Sequence, residues 1–190
     1  MISLLDSPSG YGLVSRGLHW GMALVIAWQF TSAVLRVVAS DTPVEEFFWS
    51  THYSVGFTIL LLVLVRGLWG LANLARRPRT EGPALQRRLA GIAHLVLYGL
   101  MAVVPVLAIA RAAGSGRGLR VFGVELIAGG GERVPQLMAP ANLLHGNLGW
   151  LLLALIAGHT LMALYHGLLR ADPTLDRMTK GWSDKGSATA

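Results

Sequence analysis

The chain has 190 residues, of which 53% are hydrophobic and 14% are charged, and its mean hydropathy is +0.53. This composition is typical of an integral membrane protein with one membrane domain, and it leaves no room for a second soluble domain of ordinary size. The chain contains no cysteine, which excludes disulfides, iron–sulfur clusters, thiolate nucleophiles and covalent c-type haem attachment. A redox cofactor would therefore have to be held by His or Met.

The net charge of +6 does not indicate a nucleic-acid partner. The basic residues cluster at the ends of apolar runs rather than along one polar face, which is the pattern of membrane topology. We therefore expect membrane lipid, and not nucleic acid, to surround the chain.

The first predicted transmembrane helix, TM1, covers residues 13–38 and follows a short N-terminal tail, residues 1–12. The run between Arg16 and Arg36 is free of charge and is too long for the apolar region of a signal peptide. It is therefore interpreted as a retained helix, with His19 one turn inside its start.

The second predicted helix, TM2, covers residues 48–74 and carries His52 near its beginning. Arg66 follows fourteen residues later, which is roughly 21 Å further along the same helix face. Arg66 is either a side chain that reaches back to the far interface or a counter-charge for an anionic cofactor group.

The third predicted helix, TM3, covers residues 85–112, carries His94 and Tyr98 on one face, and contains Pro105 as a predicted kink. Residues 113–141 are rich in Gly and Pro and are predicted to form a periplasmic loop that is long enough to be functional. Their glycines match neither a phosphate-binding loop nor a dinucleotide fingerprint.

The last predicted helix, TM4, covers residues 142–169, contains no charged residue and completes a membrane domain that ends at residue 170. His145, His159 and His166 are spaced fourteen and seven residues apart, so they form one stripe along the helix. His145 and His159 are roughly 21 Å apart along the axis, which is most of a hydrocarbon core of roughly 30 Å. The C-terminal tail, 171–190, follows.

The distribution of Lys and Arg predicts the orientation. Eleven lie on the side of both termini and the TM2–TM3 link, and five lie on the other side. The first group is Arg16, Arg66, Arg76, Arg77, Arg79, Arg87, Arg88, Arg170, Arg177, Lys180 and Lys185, and the second is Arg36, Arg111, Arg117, Arg120 and Arg133. The fold class predicted is therefore all-α, an antiparallel up-down bundle of four transmembrane helices with both termini cytoplasmic.

This topology pairs the histidines by depth. His52 and His145 begin TM2 and TM4 near the outer face, whereas His19 and His159 both lie near the inner face. One His from each of two facing helices supplies both axial nitrogens of a haem iron inside a four-helix bundle. Two such haems would form a path for electrons across the membrane.

Small residues beside these histidines fit a flat macrocycle, although simple helix packing is an alternative for each of them. They are Gly17, Gly21, Gly56, Gly149 and Gly158. Arg66 falls at the depth of the inner pair, where it could bind a haem propionate.

Two other kinds of site fit less well. A zinc or copper site needs three or four ligands at one level, and the outer level offers two histidines. The inner level offers His19, His94, His159 and His166, so a metal site there is a less economical alternative. A haem-free, histidine-lined transporter would normally carry Asp or Glu within its helices, and the four predicted spans contain none.

Several segments resemble the bacterial cytochrome b561 family of small di-haem membrane cytochromes. They are LHW around His19, THYSVGFTILLLVLVRGLW with His52 and Arg66, AHLVLYGLMAVVPVLA in TM3, and His145 with His159 in TM4, followed by ADPTLDRMTKG. The resemblance covers nearly the whole chain and implies two b-type haems in the bacterial inner membrane. It implies the same two pairs, His52 with His145 and His19 with His159.

The resemblance also implies quinone chemistry near the cytoplasmic side, with His94 and His166 as candidates for the quinone site. A hydrogen-bonded interior His or a haem neighbour is the alternative for each. One family member of similar size oxidises superoxide at the periplasmic face while it reduces ubiquinone. The leading hypothesis is a cytochrome that carries electrons from a periplasmic donor to quinone, and the alternative is a haem-bearing anchor and relay for a partner dehydrogenase.

Overall fold

The computed structural model describes residues 3–78, 82–170 and 172–181. Most of them are helical, and a small antiparallel sheet of two strands lies between the third and fourth long helices. The helices are α1 (Leu13–Val38), α2 (Pro43–Ser50), α3 (His52–Ala72), α4 (Ala84–Gly114), α5 (Pro135–Leu164) and α6 (Thr174–Thr179), and the strands are β1 (Leu119–Val121) and β2 (Val124–Ile127). A 3₁₀ turn, Leu74–Arg76, follows α3, and a π-helical turn, Tyr165–Leu169, extends α5.

Four helices, α1, α3, α4 and α5 with its π-helical turn, are long and apolar enough to cross a membrane. Between 6% and 17% of the most apolar stretch of each is buried within the protein, so most of their apolar surface requires lipid or a cofactor to cover it. This agrees with the predicted class of membrane protein. The up-down order and the cytoplasmic termini remain predictions.

The link before the second long helix differs from its prediction. TM2 was expected from residue 48, but α2 ends at Ser50 and α3 begins at His52. Thr42 starts α2 because its hydroxyl accepts the Glu45 N–H, and the Thr51 N–H turns back to the Phe48 carbonyl. His52 is therefore the first residue of its helix.

The segment expected to be a loop, residues 113–141, is corrected in two ways. Strands β1 and β2 form a hairpin within it, so the chain is not purely α-helical. Phe122 and Gly123 have positive φ angles of 47° and 84°, as a two-residue hairpin turn requires. The last long helix begins at Pro135 rather than at residue 142, because proline suits the first helical turn and apolar residues continue the helix from there.

The chain divides into two compact units. We call Met1–Gly21, Val65–Leu97 and Ala154–Ala190 the terminal unit, and Met22–Leu64 and Tyr98–Leu153 the hairpin unit. Arg79 and Lys185, which were counted in the orientation argument, lie outside the described residues.

In the terminal unit the N-terminal segment folds against the beginning of α1 and against α6. Asp6 is 4% exposed and accepts the Gly12 N–H at 2.9 Å. Trp20 donates its indole N–H to the Met178 carbonyl at 3.1 Å, and Arg16 donates to the Thr179 carbonyl at 2.7 Å. These contacts tie both described ends of the chain to α1.

In the hairpin unit the sheet packs on helices. Ala112, Leu119 and Val121 form a buried cluster, against which Phe57, Ile109 and Ile127 pack. The Ser54 hydroxyl accepts the N–H of Phe122 at 3.0 Å, which anchors the tip of the hairpin to α3. The hairpin is therefore a packed part of this unit.

Candidate functional site

The hairpin unit brings His52 and His145 together, as predicted from the sequence. Their ring centroids are 6.4 Å apart, and the ring planes are inclined at 70°. Both rings line an apolar cavity of about 260 Å³, whose wall also includes Gly56 and Gly149. A Cβ atom added at Gly149 would meet no other atom within 4 Å, so open space rather than close helix packing lies beside this glycine.

Hydrogen bonds determine which nitrogen of each ring carries the proton. His145 Nδ1 lies 3.0 Å from the Val104 carbonyl, which can only accept, so this nitrogen donates. The Ser32 hydroxyl donates to the Gln29 carbonyl at 2.6 Å, and it therefore accepts from His52 Nδ1 at 2.7 Å. Both rings thus keep the lone pair of Nε2 for a metal ion.

Gln29 lies in front of one of these lone pairs. Its amide nitrogen is 3.1 Å from His52 Nε2 and donates to it, whereas its amide oxygen is buried without a hydrogen-bond partner. A metal ion bound to His52 Nε2 would take the place of the Gln29 amide. The unpaired oxygen means that Gln29 loses little when its side chain turns away.

The terminal unit brings together the other predicted pair. The ring centroids of His19 and His159 are 6.3 Å apart with the planes inclined at 42°. His94 is a third imidazole here, 5.3 Å from His159, and its Nδ1 donates to the Ala90 carbonyl at 2.6 Å. His19 Nδ1 is buried and has no hydrogen-bond partner.

The spacing of both predicted pairs fits haem. Two imidazoles bound to opposite sides of one metal ion by bonds of about 2 Å have ring centres roughly 6 Å apart. The values of 6.4 Å and 6.3 Å match this spacing, whereas the 5.3 Å between His94 and His159 is shorter. Within the described ranges, no three or more His, Asp or Glu side chains converge to hold a metal ion, so a zinc-type cluster is not favoured there.

Arg66 lies on α3 in the terminal unit and is half-buried. It shares this unit with His19 and His159, the pair at which the sequence argument predicted a partner for a propionate.

His94 and His166, the predicted quinone residues, have different surroundings. In the described part of the chain no ring contact joins them. His166 Nδ1 lies 2.5 Å from the Asp172 carboxylate, and its Nε2 is 3.3 Å from the Gln86 amide. Burial opposes ionisation of Asp172, but its hydrogen bonds with His166 and Thr174 outweigh this effect and hold its pKa below the usual value.

Sequence reasoning missed the residues that orient these imidazoles. Ser32 and Gln29 are polar residues three apart in the charge-free part of TM1, a signal that was available. Trp49 stacks on His52 with ring centroids 4.6 Å apart, and Asp172 accepts from His166. Trp49 and His52 are also three residues apart, whereas Asp172 lies beyond the end of TM4 and its contact with His166 has no helical spacing.

Comparison with known proteins identifies the family whose profile the chain matches. The profile of the family described as prokaryotic cytochrome b561 matches residues 10–181, which include all four long helices. Cytochrome b561 homolog 2 of Escherichia coli (strain K12) is 26% identical over 193 residues, covering 97% of this chain and 100% of that protein. Probable superoxide oxidase CybB of Yersinia pestis is 28% identical over 173 residues, covering 88% of this chain and 94% of that protein. The similarity therefore extends over the whole membrane domain.

Proposed function

The chain belongs to the prokaryotic cytochrome b561 family, so it is a multi-pass haem-b electron-transfer protein of the bacterial cytoplasmic membrane. We propose that it carries electrons from a periplasmic donor to quinone by means of two haems. The observation that carries this proposal is the presence of two imidazole pairs with ring separations of 6.4 Å and 6.3 Å. One such pair is the ligand set of one six-coordinate haem.

His52 and His145 would hold one haem, and His19 and His159 the other. Haem b, when bound, supplies a one-electron iron couple. Each imidazole pair would complete the coordination of its haem iron and leave no open position for oxygen to bind. Ser32 and the Val104 carbonyl hold the rings of the first pair in the required tautomer. Arg66 provides positive charge for a propionate at the second pair.

His166 is the proposed quinone residue. Quinone reduction consumes protons as well as electrons, and a His that is hydrogen-bonded to a carboxylate can deliver one. The contacts of His166 with Asp172 and Gln86 support this role. For His94, the edge-to-face contact with His159 favours the other role, that of a neighbour to a haem ligand.

The proposed orientation has both termini in the cytoplasm. The terminal unit contains the beginning of α1, the end of α3, the beginning of α4 and the end of α5, as an up-down order requires. It also includes most of the Lys and Arg residues on the predicted inner side. The outer donor is proposed to be superoxide, because one relative of nearly equal extent is described as a probable superoxide oxidase.

The test combines haem stoichiometry with electron transfer. A pyridine haemochrome assay with protein quantitation is expected to give two non-covalent haems per chain. Proteoliposomes are expected to reduce ubiquinone when superoxide is generated outside. The test variant His166→Gln is expected to keep both haems and to lose most of the quinone reduction. A stoichiometry of one haem, or a colourless protein prepared with haem available, would contradict the di-haem proposal.

A further inference from the structure

The hairpin unit contains a second cavity, of about 520 Å³, whose wall is rich in arginine. Its polar lining includes Tyr53, Arg111, Arg117, Arg120, Arg133 and Asn142. Among the described residues that line it, none is acidic. Four arginines thus line one cavity together with hydroxyl and amide groups, and their charges give it a positive potential.

Only one of these arginines has a carboxylate partner in the described part of the chain. Arg120 lies 3.4 Å from Glu125, its neighbour across the hairpin. Arg111 donates to the Tyr53 hydroxyl at 2.8 Å, which satisfies one N–H but does not neutralise the charge. Arg111, Arg117 and Arg133 therefore bring positive charge to the cavity that no described carboxylate balances.

The glycine-rich segment builds this wall. Gly116 and Gly118 have positive φ angles of 72° and 74°, and a Cβ atom on either would lie within 2.4 Å of a backbone oxygen. Gly130 donates its N–H to the Gly116 carbonyl at 2.8 Å, which closes the segment on itself. Arg117 stands between two glycines that no other residue can replace without strain, so its backbone position is fixed.

We propose that this cavity binds a small anion that carries carboxylate or phosphate oxygens. The planar fork of arginine matches the two oxygens of either group, and Tyr53 and Asn142 add neutral hydrogen-bonding groups. The volume is that of a site for a small organic molecule rather than for a single small ion. The proposal does not rest on the electron-transfer role, because its test measures anion binding rather than electron transfer.

Two sources share this chemistry, a soluble anion and the phosphate of a lipid headgroup. The experiment uses the haem-loaded protein and titrates citrate and inorganic phosphate at constant ionic strength, with calorimetry and thermal stability as readouts. We expect saturable binding. Replacing Arg111, Arg117 and Arg133 together with Gln is expected to weaken it at least tenfold. The matched control replaces Arg76, Arg87 and Arg88 of the terminal unit with Gln and is expected to bind as the wild type does.

The single exchange Arg117→Gln guards against misfolding of the triple variant, because this side chain is exposed. It is expected to weaken binding several-fold at unchanged haem content.

In nanodiscs, loss of citrate binding when phosphatidylglycerol replaces phosphatidylcholine would identify the lipid headgroup as the occupant, and unchanged binding would identify a soluble anion. No saturable binding, or equal weakening by the two triple variants, would overturn the proposal. Binding by the haem-free protein alone would also overturn it, because haem carboxylates would then fill the cavity.

Discussion

The two units hold imidazole pairs of nearly equal separation but surround them differently. In the hairpin unit each ring is fixed through Nδ1, His52 by Ser32 and His145 by the Val104 carbonyl. In the terminal unit His19 Nδ1 has no hydrogen-bond partner, but His94 lies 5.3 Å from His159 as a third imidazole. The first pair is held in place before a metal binds, whereas the third imidazole beside the second pair is too close to His159 for the spacing of two ligands of one iron.

This difference separates two ways of securing a cofactor. Groups that orient a ligand reduce the ordering required when the cofactor binds, and they fix the basicity of the coordinating nitrogen. A ring that lacks such a group, as His19 does, is ordered only when the cofactor binds. We therefore expect substitutions of the orienting groups to weaken haem binding in the hairpin unit.

The largest expected effect is the loss of a haem ligand. His52→Ala is expected to remove all the haem of the hairpin unit, which is half of the total, because within the described residues no third imidazole contacts that pair. His19→Ala is expected to remove the haem of the terminal unit, and His94→Ala is expected to keep both haems, because the spacing of His94 from His159 is too short for two ligands of one iron. The pyridine haemochrome assay measures all three. Full haem content in His52→Ala or His19→Ala would refute the pairing, and loss of a haem in His94→Ala would refute the role of His94 as a neighbour.

A smaller effect is expected from the group that orients His52. Ser32→Ala removes the acceptor for Nδ1 and is expected to weaken haem binding in the hairpin unit about tenfold, with a changed midpoint potential for that haem. Ser15→Ala is the matched control, because Ser15 is also a buried serine of α1 but binds the Trp69 indole instead of an imidazole. Competition for haem with an apo-globin, together with a redox titration, tests this. Equal effects of the two variants would show that Ser32 acts only through packing.

The smallest effect concerns Asp172 in the terminal unit. Because its folded-state pKa lies below the usual value of 3.8, its ionised form stabilises the fold above that pH, and this contribution is lost as the pH falls through the folded-state pKa. Asp172→Asn is expected to lower stability at pH 7 by at most about 1 kcal/mol, since the pair is partly solvated. Melting curves at pH 7 and at a pH below the folded-state pKa measure the difference, with Asp176→Asn as a charge-matched control. A deficit that persists at low pH would contradict this linkage.

The predicted transmembrane helices and the two imidazole pairs followed from local patterns. His145 and His159 are fourteen residues apart in a charge-free run, so their common face is a property of the helix alone. The partners His52 and His19 followed from assuming that the helices alternate in direction. In contrast, the hairpin was missed because glycine-rich sequence is compatible with many backbone conformations, and only packing of Leu119 and Val121 selects one.

The sequence by itself determined that this chain has helices able to span a membrane, and it predicted histidine as the metal ligand, because apolar length and helical period are set within single segments. Only the tertiary structure decided what orients those ligands. Ser32 meets His52 twenty residues away, and the four arginines of the second cavity come from α4 and from both sides of the hairpin. Such contacts depend on how separate segments pack, and no periodicity within one segment encodes them.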